Sequence, residues 1–166
     1  ALYARFFHSL YATPVVTARI FMVYGPGQVD HTKLVPYSIL RALRKEAPRL
    51  TSGTRPVDWI FIDDVVAGLL AAGEVAGVEG ETFDLGSGEL ITVRQIVEKI
   101  CHALAAPPPE LGALADRPLE AVRRANIAKS ISRLGWRPQV GLEEGLHRTI
   151  VGLRGELASG AHVVRG

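Results

Sequence analysis

The sequence predicts a mixed α/β fold. Runs of β-branched and aromatic residues alternate with stretches of helical periodicity, and the order along the chain is strand, helix, strands, helix, strand, helix, then further helices. Gly- and Pro-rich punctuation falls between the runs, as turns between such elements require.

The first residues, Ala1-Leu-Tyr-Ala-Arg-Phe-Phe7, are helix formers without a start signal, so they read as a helix cut at its N-terminus that runs to about Leu10. Ala12-Thr13-Pro14 breaks it. Residues 15–21 are β-branched and nearly continuously apolar, which fits a buried parallel strand. The strand enters Tyr24-Gly-Pro-Gly-Gln28, a tight loop of the kind found where ligands sit at strand ends.

Leu34, Val35, Ile39, Leu40 and Leu43 mark a helix over 32–47, with Pro36 in its first turn and Pro48 ending it. Residues 50–55 read as a short strand and turn, and 57–62 as a strand. Asp63 or Asp64 is expected to cap a helix to about Ala72. Residues 80–85 form the next strand, closed by Gly86-Ser87-Gly88. Thr92 and Gln95 then have the spacing of a capping box on a helix that buries Ile96, Val97 and Ile100.

Pro107-Pro-Pro109 stops that helix, and 107–115 reads as an extended, exposed linker and the best internal boundary. Two helices follow, 127–134 with Gly135 as C-terminal cap and 142–153, and the chain frays from Gly155. Trp59 and Trp136 lie in apolar patterns that suit the core.

Composition bounds the function. The chain has 166 residues, 48% apolar and 22% charged, ordinary for a globular protein. A net charge of +2 with scattered Lys and Arg gives no basic stripe for nucleic acid. The most apolar stretch, 65–78, is interrupted by Glu74 and too short for a bilayer, so a soluble, cytoplasmic protein without a membrane partner is expected. The single cysteine, Cys101, excludes an internal disulfide and reads as a buried thiol. The five histidines have no paired spacing, and no metal is expected.

Six ordered elements carry a resemblance. They are Arg19-Ile-Phe-Met-Val-Tyr-Gly-Pro26, Lys33-Leu-Val-Pro36, Asp58-Trp-Ile-Phe-Ile-Asp-Asp64, Phe83-Asp-Leu-Gly86, Arg117-Pro-Leu-Glu120, and Leu134-Gly-Trp-Arg-Pro138 with Leu142-Glu-Glu-Gly-Leu146. This pattern resembles the C-terminal portion of the extended short-chain dehydrogenase/reductase family, in particular its NAD-dependent nucleotide-sugar 4-epimerases and 4,6-dehydratases. The resemblance implies the last parallel strands of a Rossmann-like fold and a small mixed α/β substrate-binding lobe. Residues 1–28 would be the Rossmann remnant, 29–155 the lobe with returning Rossmann elements, and 156–166 a frayed tail.

It also implies an enzyme that moves a hydride between a sugar and NAD or NADP, held mainly by an N-terminal half, with a Tyr-x-x-x-Lys pair for proton transfer. Here Tyr3, Tyr11, Tyr24 and Tyr37 are followed four residues on by Phe7, Val15, Gln28 and Arg41, so no catalytic residue is expected in this chain. The parent is expected to be a homodimer that takes a nucleotide-sugar substrate.

Residue by residue, the resemblance places Arg117 on the nucleotide phosphates and Glu120 on ribose hydroxyls; a surface Arg–Glu pair fits the same letters. Lys33, Leu34, Val35 and Pro36 would offer a helix N-terminus to the diphosphate, or simply an exposed loop lysine. Arg49, Thr51 and Arg55 are further substrate-binding candidates, although the family's phosphate-contacting arginine stands where this chain has Val57. Asp84 replaces a common asparagine near the nucleotide, and Met22 replaces one that touches the sugar diphosphate. Ile20, Phe21 and Met22 would lie beside the nicotinamide, with Phe21 equally suited to the core. Two other readings stay open: a non-catalytic binding or regulatory relative, and a reductase of a small carbonyl compound.

Overall fold

The computed structural model describes residues 2–116 and 121–159. Its elements are α1 (Leu2–Tyr11), β1 (Thr17–Ile20), β2 (Met22–Tyr24), α2 (Leu34–Leu43), β3 (Pro56–Phe61), α3 (Ile62–Glu74), β4 (Thr82–Leu85), β5 (Leu90–Thr92), α4 (Val93–Ala103), α5 (Ala128–Leu134) and α6 (Leu142–Ala158). Strand β1 pairs in parallel with β4, Thr17 opposite Thr82 and Ile20 opposite Leu85, and a second sheet has the order β2-β3-β5. The α/β class is therefore as expected. No helix among the described residues is long and apolar enough to cross a membrane.

The chain divides into two interleaved units: unit 1 is Ala1–Val23, Asp58–Leu90 and Arg123–Val140, and unit 2 is Tyr24–Val57, Ile91–Val122 and Gly141–Gly166. Unit 1 packs Ile60, Val65, Phe83, Leu85, Leu134 and Trp136 into one apolar cluster. In unit 2, Ile39 of α2 and Ile96, Val97 and Ile100 of α4 are fully buried, each worth roughly 1.5–3 kcal/mol relative to exposure. Helix α4 starts on the expected capping box: the Gln95 N–H donates to Thr92 Oγ1 and the Thr92 N–H to Gln95 Oε1. Gly135 ends α5 at φ 64°, the left-handed cap expected of it.

Several expectations change. Strand β1 is shorter than 15–21 and is not buried, with Ile20 47% exposed. The reason is one-sided pairing. The Thr17 N–H donates to Glu81 O and the Phe21 N–H to Leu85 O, so the odd-numbered groups face β4. The N–H groups of Ala18 and Ile20 point to the other edge, which has no strand partner among the described residues. Helix α1 buries none of its residues.

Helix α2 ends before Pro48: Lys45 adopts φ 58°, and the Glu46 N–H closes back on Arg41 O. Left-handed backbone is costly for lysine. Here Lys45 Nζ also donates to Leu104 O at 2.8 Å, at the C-terminus of α4. Residues 50–55 form no strand, because their backbone partners are the N-terminus of α4 and residues 110–114. Neither Asp63 nor Asp64 caps α3, whose N-cap is Phe61; Asp64 instead accepts from the Gln139 and Val140 N–H groups at 2.9 and 3.0 Å. The exposed stretch 107–115 stays inside unit 2 and is hydrogen-bonded to residues 48–51, so no boundary falls there. Helix α6 runs past residue 155 to Ala158.

Candidate functional site

In unit 2 the Tyr24-Gly-Pro-Gly27 loop is seated on α6. Tyr24 Oη donates to Leu142 O at 3.4 Å, and the Gly27 N–H donates to Glu156 Oε1 at 3.1 Å. Gly152 has no side chain because a Cβ there would run into Pro26. This seat explains why α6 continues through residue 156.

The loop leads to the start of α2. The Asp30 carboxylate accepts from Thr32 Oγ1 at 2.5 Å and the Thr32 N–H at 3.0 Å. The Thr32 hydroxyl, followed by its N–H, holds the Asp30 carboxyl below its ordinary range. Lys33 is the N-cap residue of α2, and its Nζ lies 3.5 Å from Asp30 Oδ2 with the side chain 67% exposed. Val35 and Pro36 are buried, so of the four expected residues Lys33 presents a cation and Leu34 and Val35 can present only their backbone N–H groups.

Arg49 and Thr51 stand on a rail. The Glu110 N–H donates to Pro48 O, the Leu50 N–H to Glu110 O, the Gly112 N–H to Thr51 O and the Leu114 N–H to Leu50 O, all within 2.9–3.0 Å. Arg49 Nε lies 3.6 Å from Glu110 Oε2. The rail ends at Asp116, whose Oδ1 accepts from the Ser52 N–H at 3.0 Å and Ser52 Oγ at 2.9 Å. These bonds, the backbone one first, hold the Asp116 carboxyl below its ordinary range. Arg117 and Glu120 lie outside the described residues. The structure thus brings Arg49 and Thr51 to the segment that delivers the chain to Arg117.

The N-terminus of α4 is not open to a ligand. Its Val93 and Arg94 N–H groups donate to Arg55 O and Gly53 O. A Cβ on Gly53, at φ 68°, would press on Arg94. Arg55 therefore serves α4 through its carbonyl. Arg94, which the sequence reading passed over, sits beside this turn and pairs with Glu98 at 2.7 Å; its place two residues after the capping Thr92 was the available signal.

In unit 1, Asp84 is buried and fully engaged: Oδ1 takes Arg19 Nε at 2.6 Å and Oδ2 takes the Asn126 N–H at 3.0 Å. Asp58, which opens one of the six motif elements without being a site candidate, is 1% exposed. It accepts four bonds: from Ser87 N–H (2.7 Å), Ser87 Oγ (2.8 Å), Gly88 N–H (3.0 Å) and Ala125 N–H (2.9 Å). Together with Asp64, these carboxylates tie residues 125–140 to the rest of unit 1 at both ends. Ile20 and Met22 are 47% and 42% exposed at the carboxyl end of β1, where ligands of parallel sheets sit, and their apolar side chains suit one face of a flat ring. The Phe21 N–H is already taken by Leu85 O. Among the described residues no group of three His, Cys, Asp or Glu side chains is placed to hold a metal ion.

Comparison with known proteins bears on the family and the fold. Residues 2–86 match the family model described as the NAD dependent epimerase/dehydratase family. The chain is 33% identical to a dTDP-glucose 4,6-dehydratase of Neisseria gonorrhoeae over 88% of its own length and 45% of that protein's. An epimerase structure from Methanothermobacter thermautotrophicus superposes with a TM-score of 0.87 at 30% identity, covering 95% of this chain and 48% of that one. A Thermotoga maritima UDP-glucose 4-epimerase solved with UDP-glucose gives 0.86 at 29% identity, covering 94% and 51%. The chain thus spans about half the length of the relatives it matches.

Proposed function

This chain belongs to the NAD dependent epimerase/dehydratase family, and from that premise we propose that it is the part of such an enzyme that holds a nucleotide-sugar by its diphosphate. The observation that carries the reading is the rail of unit 2, which sets Arg49 and Thr51 alongside the segment that ends at Asp116, one residue before Arg117.

Arg117 stays charged at any physiological pH and can meet two phosphate oxygens at once. Lys33 adds a second, flexible cation, and the N–H groups of Leu34 and Val35 add the positive end of a ten-residue helix. Glu120 accepts from ribose hydroxyls. Arg55 is the weaker phosphate candidate, because Val57 holds the family's usual place. Asp84 acts indirectly: with both oxygens occupied, it fixes Asn126 and Arg19 rather than meeting the nucleotide.

Such a handle lets binding energy far from the reacting carbon set the pose of the sugar. NAD or NADP, when bound, accepts and returns the hydride; Ile20 and Met22 would line one side of its ring. No tyrosine in the chain has lysine four residues on, so we place proton transfer outside these 166 residues and expect the chain alone to be inactive.

Titration calorimetry of uridine and thymidine diphosphates into the chain tests this. Arg117→Ala should weaken binding by ~1.5–3 kcal/mol, roughly tenfold to a hundredfold. Unchanged affinity would refute the diphosphate handle and favour a family reductase acting on a small carbonyl compound.

A further inference from the structure

We infer that Asp30 is an internal counter-anion for Lys33: in the free chain its carboxylate holds the lysine that a substrate diphosphate must win, so removing that charge tightens nucleotide binding. This rests on the diphosphate role of Lys33 argued above.

Residues 30–33 form a closed turn, in which the Lys33 N–H donates to Asp30 O at 3.2 Å. Within the turn the two carboxylate oxygens have different tasks. Oδ1 accepts from Thr32 Oγ1 at 2.5 Å and from the Thr32 N–H at 3.0 Å, while Oδ2 faces Lys33 Nζ at 3.5 Å. Thr32 therefore fixes the carboxylate independently of the lysine. His31 lies between them in sequence, but its Nε2 is buried without a hydrogen-bond partner and does not share the charge. Among the described residues Lys33 is the one cation at ion-pair distance from Asp30, and Asp30 the one carboxylate paired with Lys33.

The pair is built to open. Its side chains are 67% and 46% exposed, and ion pairs so wet hold weakly. When the lysine leaves, Asp30 keeps both bonds from Thr32, so no bare buried charge is left behind. Releasing Lys33 therefore costs little, yet that cost is subtracted from the affinity of every ligand that needs the lysine. A diphosphate offers more negative charge than the single carboxylate and takes Lys33 over. An uncharged nucleoside offers none and leaves the pair closed.

A positioning role for Asp30 predicts the opposite sign. If the carboxylate served to aim Lys33 at phosphate, its loss would weaken binding. D30N separates the two, because its amide oxygen can still accept from Thr32 while the charge facing Lys33 is gone.

The test is calorimetric titration of uridine diphosphate, and separately of uridine, into the full chain carrying D30N, K33A or both changes, with thermal melts alongside. D30N should bind the diphosphate about threefold more tightly, a gain that shrinks as salt is raised, and should leave uridine binding unchanged. K33A should bind the diphosphate more weakly, and the double variant should match K33A, because Asp30 acts through the lysine. If K33A weakens binding while D30N is unchanged or weaker, the counter-anion role is overturned and the phosphate role of Lys33 stands. If D30N tightens binding as much in the K33A background, or tightens uridine equally, Asp30 does not act by holding Lys33, and the inference is likewise overturned. If K33A changes nothing, the phosphate role of Lys33 fails and takes this inference with it. Should D30N not fold, D30S, which also removes the charge, decides by the same outcomes.

Discussion

Replacing Asp58 tests how residues 125–140 are held to unit 1. Its carboxylate is 1% exposed and accepts from three backbone N–H groups and one hydroxyl. In Asp58→Ala the Ser87 hydroxyl can turn wholly to Glu89 O, which it already meets at 3.2 Å. The N–H groups of Gly88 and Ala125 have no such alternative at buried sites, and each buried unpaired donor costs about 1–3 kcal/mol. Adding the lost charge-assisted bond at Ser87 brings the expected destabilisation to ~3–5 kcal/mol, the range of a broken buried polar network. Asp58→Asn keeps one oxygen for Ser87 but turns an NH2 group toward the other two donors, so ~2–4 kcal/mol is expected. Both tryptophans, Trp59 and Trp136, are buried in unit 1, so their fluorescence in urea reports the right transition. With a slope of about 1–3 kcal/mol per molar, the Asn midpoint should fall by roughly 1 M or more. A shift of either variant within ~1 kcal/mol of the unaltered chain would refute the reasoning.

Three further outcomes follow from the same physics. Lys129 first and then Arg133 hold the Glu81 carboxyl below its ordinary range. A lowered folded-state value stabilises above the ordinary carboxylate range and is lost as pH falls through the lowered one. The melting-temperature gap between the chain and Glu81→Gln should therefore close on acidification, and a gap that widens contradicts the pairing. Burial, helped by the Glu98 charge, pushes the Cys101 thiol up, so iodoacetamide should label the native chain far more slowly than the urea-unfolded one at equal pH; equal rates would count against it. The edge of β1 that has no strand partner among the described residues, with the exposed Leu2, Phe6 and Leu10 of α1, should make the chain associate with rising concentration. A chain that sediments as a monomer across that concentration range would contradict that.

Local chemistry made much of this fold legible. Thr92 and Gln95 cap one another three residues apart, and Gly135 needs only its own φ, so both could be read from neighbours in sequence. What could not be read depends on distant partners. Residues 50–55 look like a strand until their hydrogen bonds are found on residues 93, 94, 110, 112 and 114. Asp64 has the place of a helix cap, but its carboxylate is claimed 75 and 76 residues on, by Gln139 and Val140. The apolar letters of 15–21 report a strand's preference, whereas burial depends on neighbours, and among the described residues β1 has a strand partner on one edge. The candidate site divides the same way. Motif letters pointed to Lys33 and Asp84; that Asp84 is spent on Arg19, 65 residues away, and that Ser52 grips Asp116, 64 residues on, is visible only in three dimensions.

The interleaving of the two units also bears on how such a chain can change over generations. Unit 1 and unit 2 each consist of three stretches, and the backbone passes between them at 23/24, 57/58, 90/91, 122/123 and 140/141. A contiguous stretch that reaches past one of these passages carries parts of both units, and a breakpoint between Asp58 and Ala125, or between Ser52 and Asp116, separates those partners. Unit 2 cannot be transplanted whole. Shuffling of the units is opposed by the path of the chain itself.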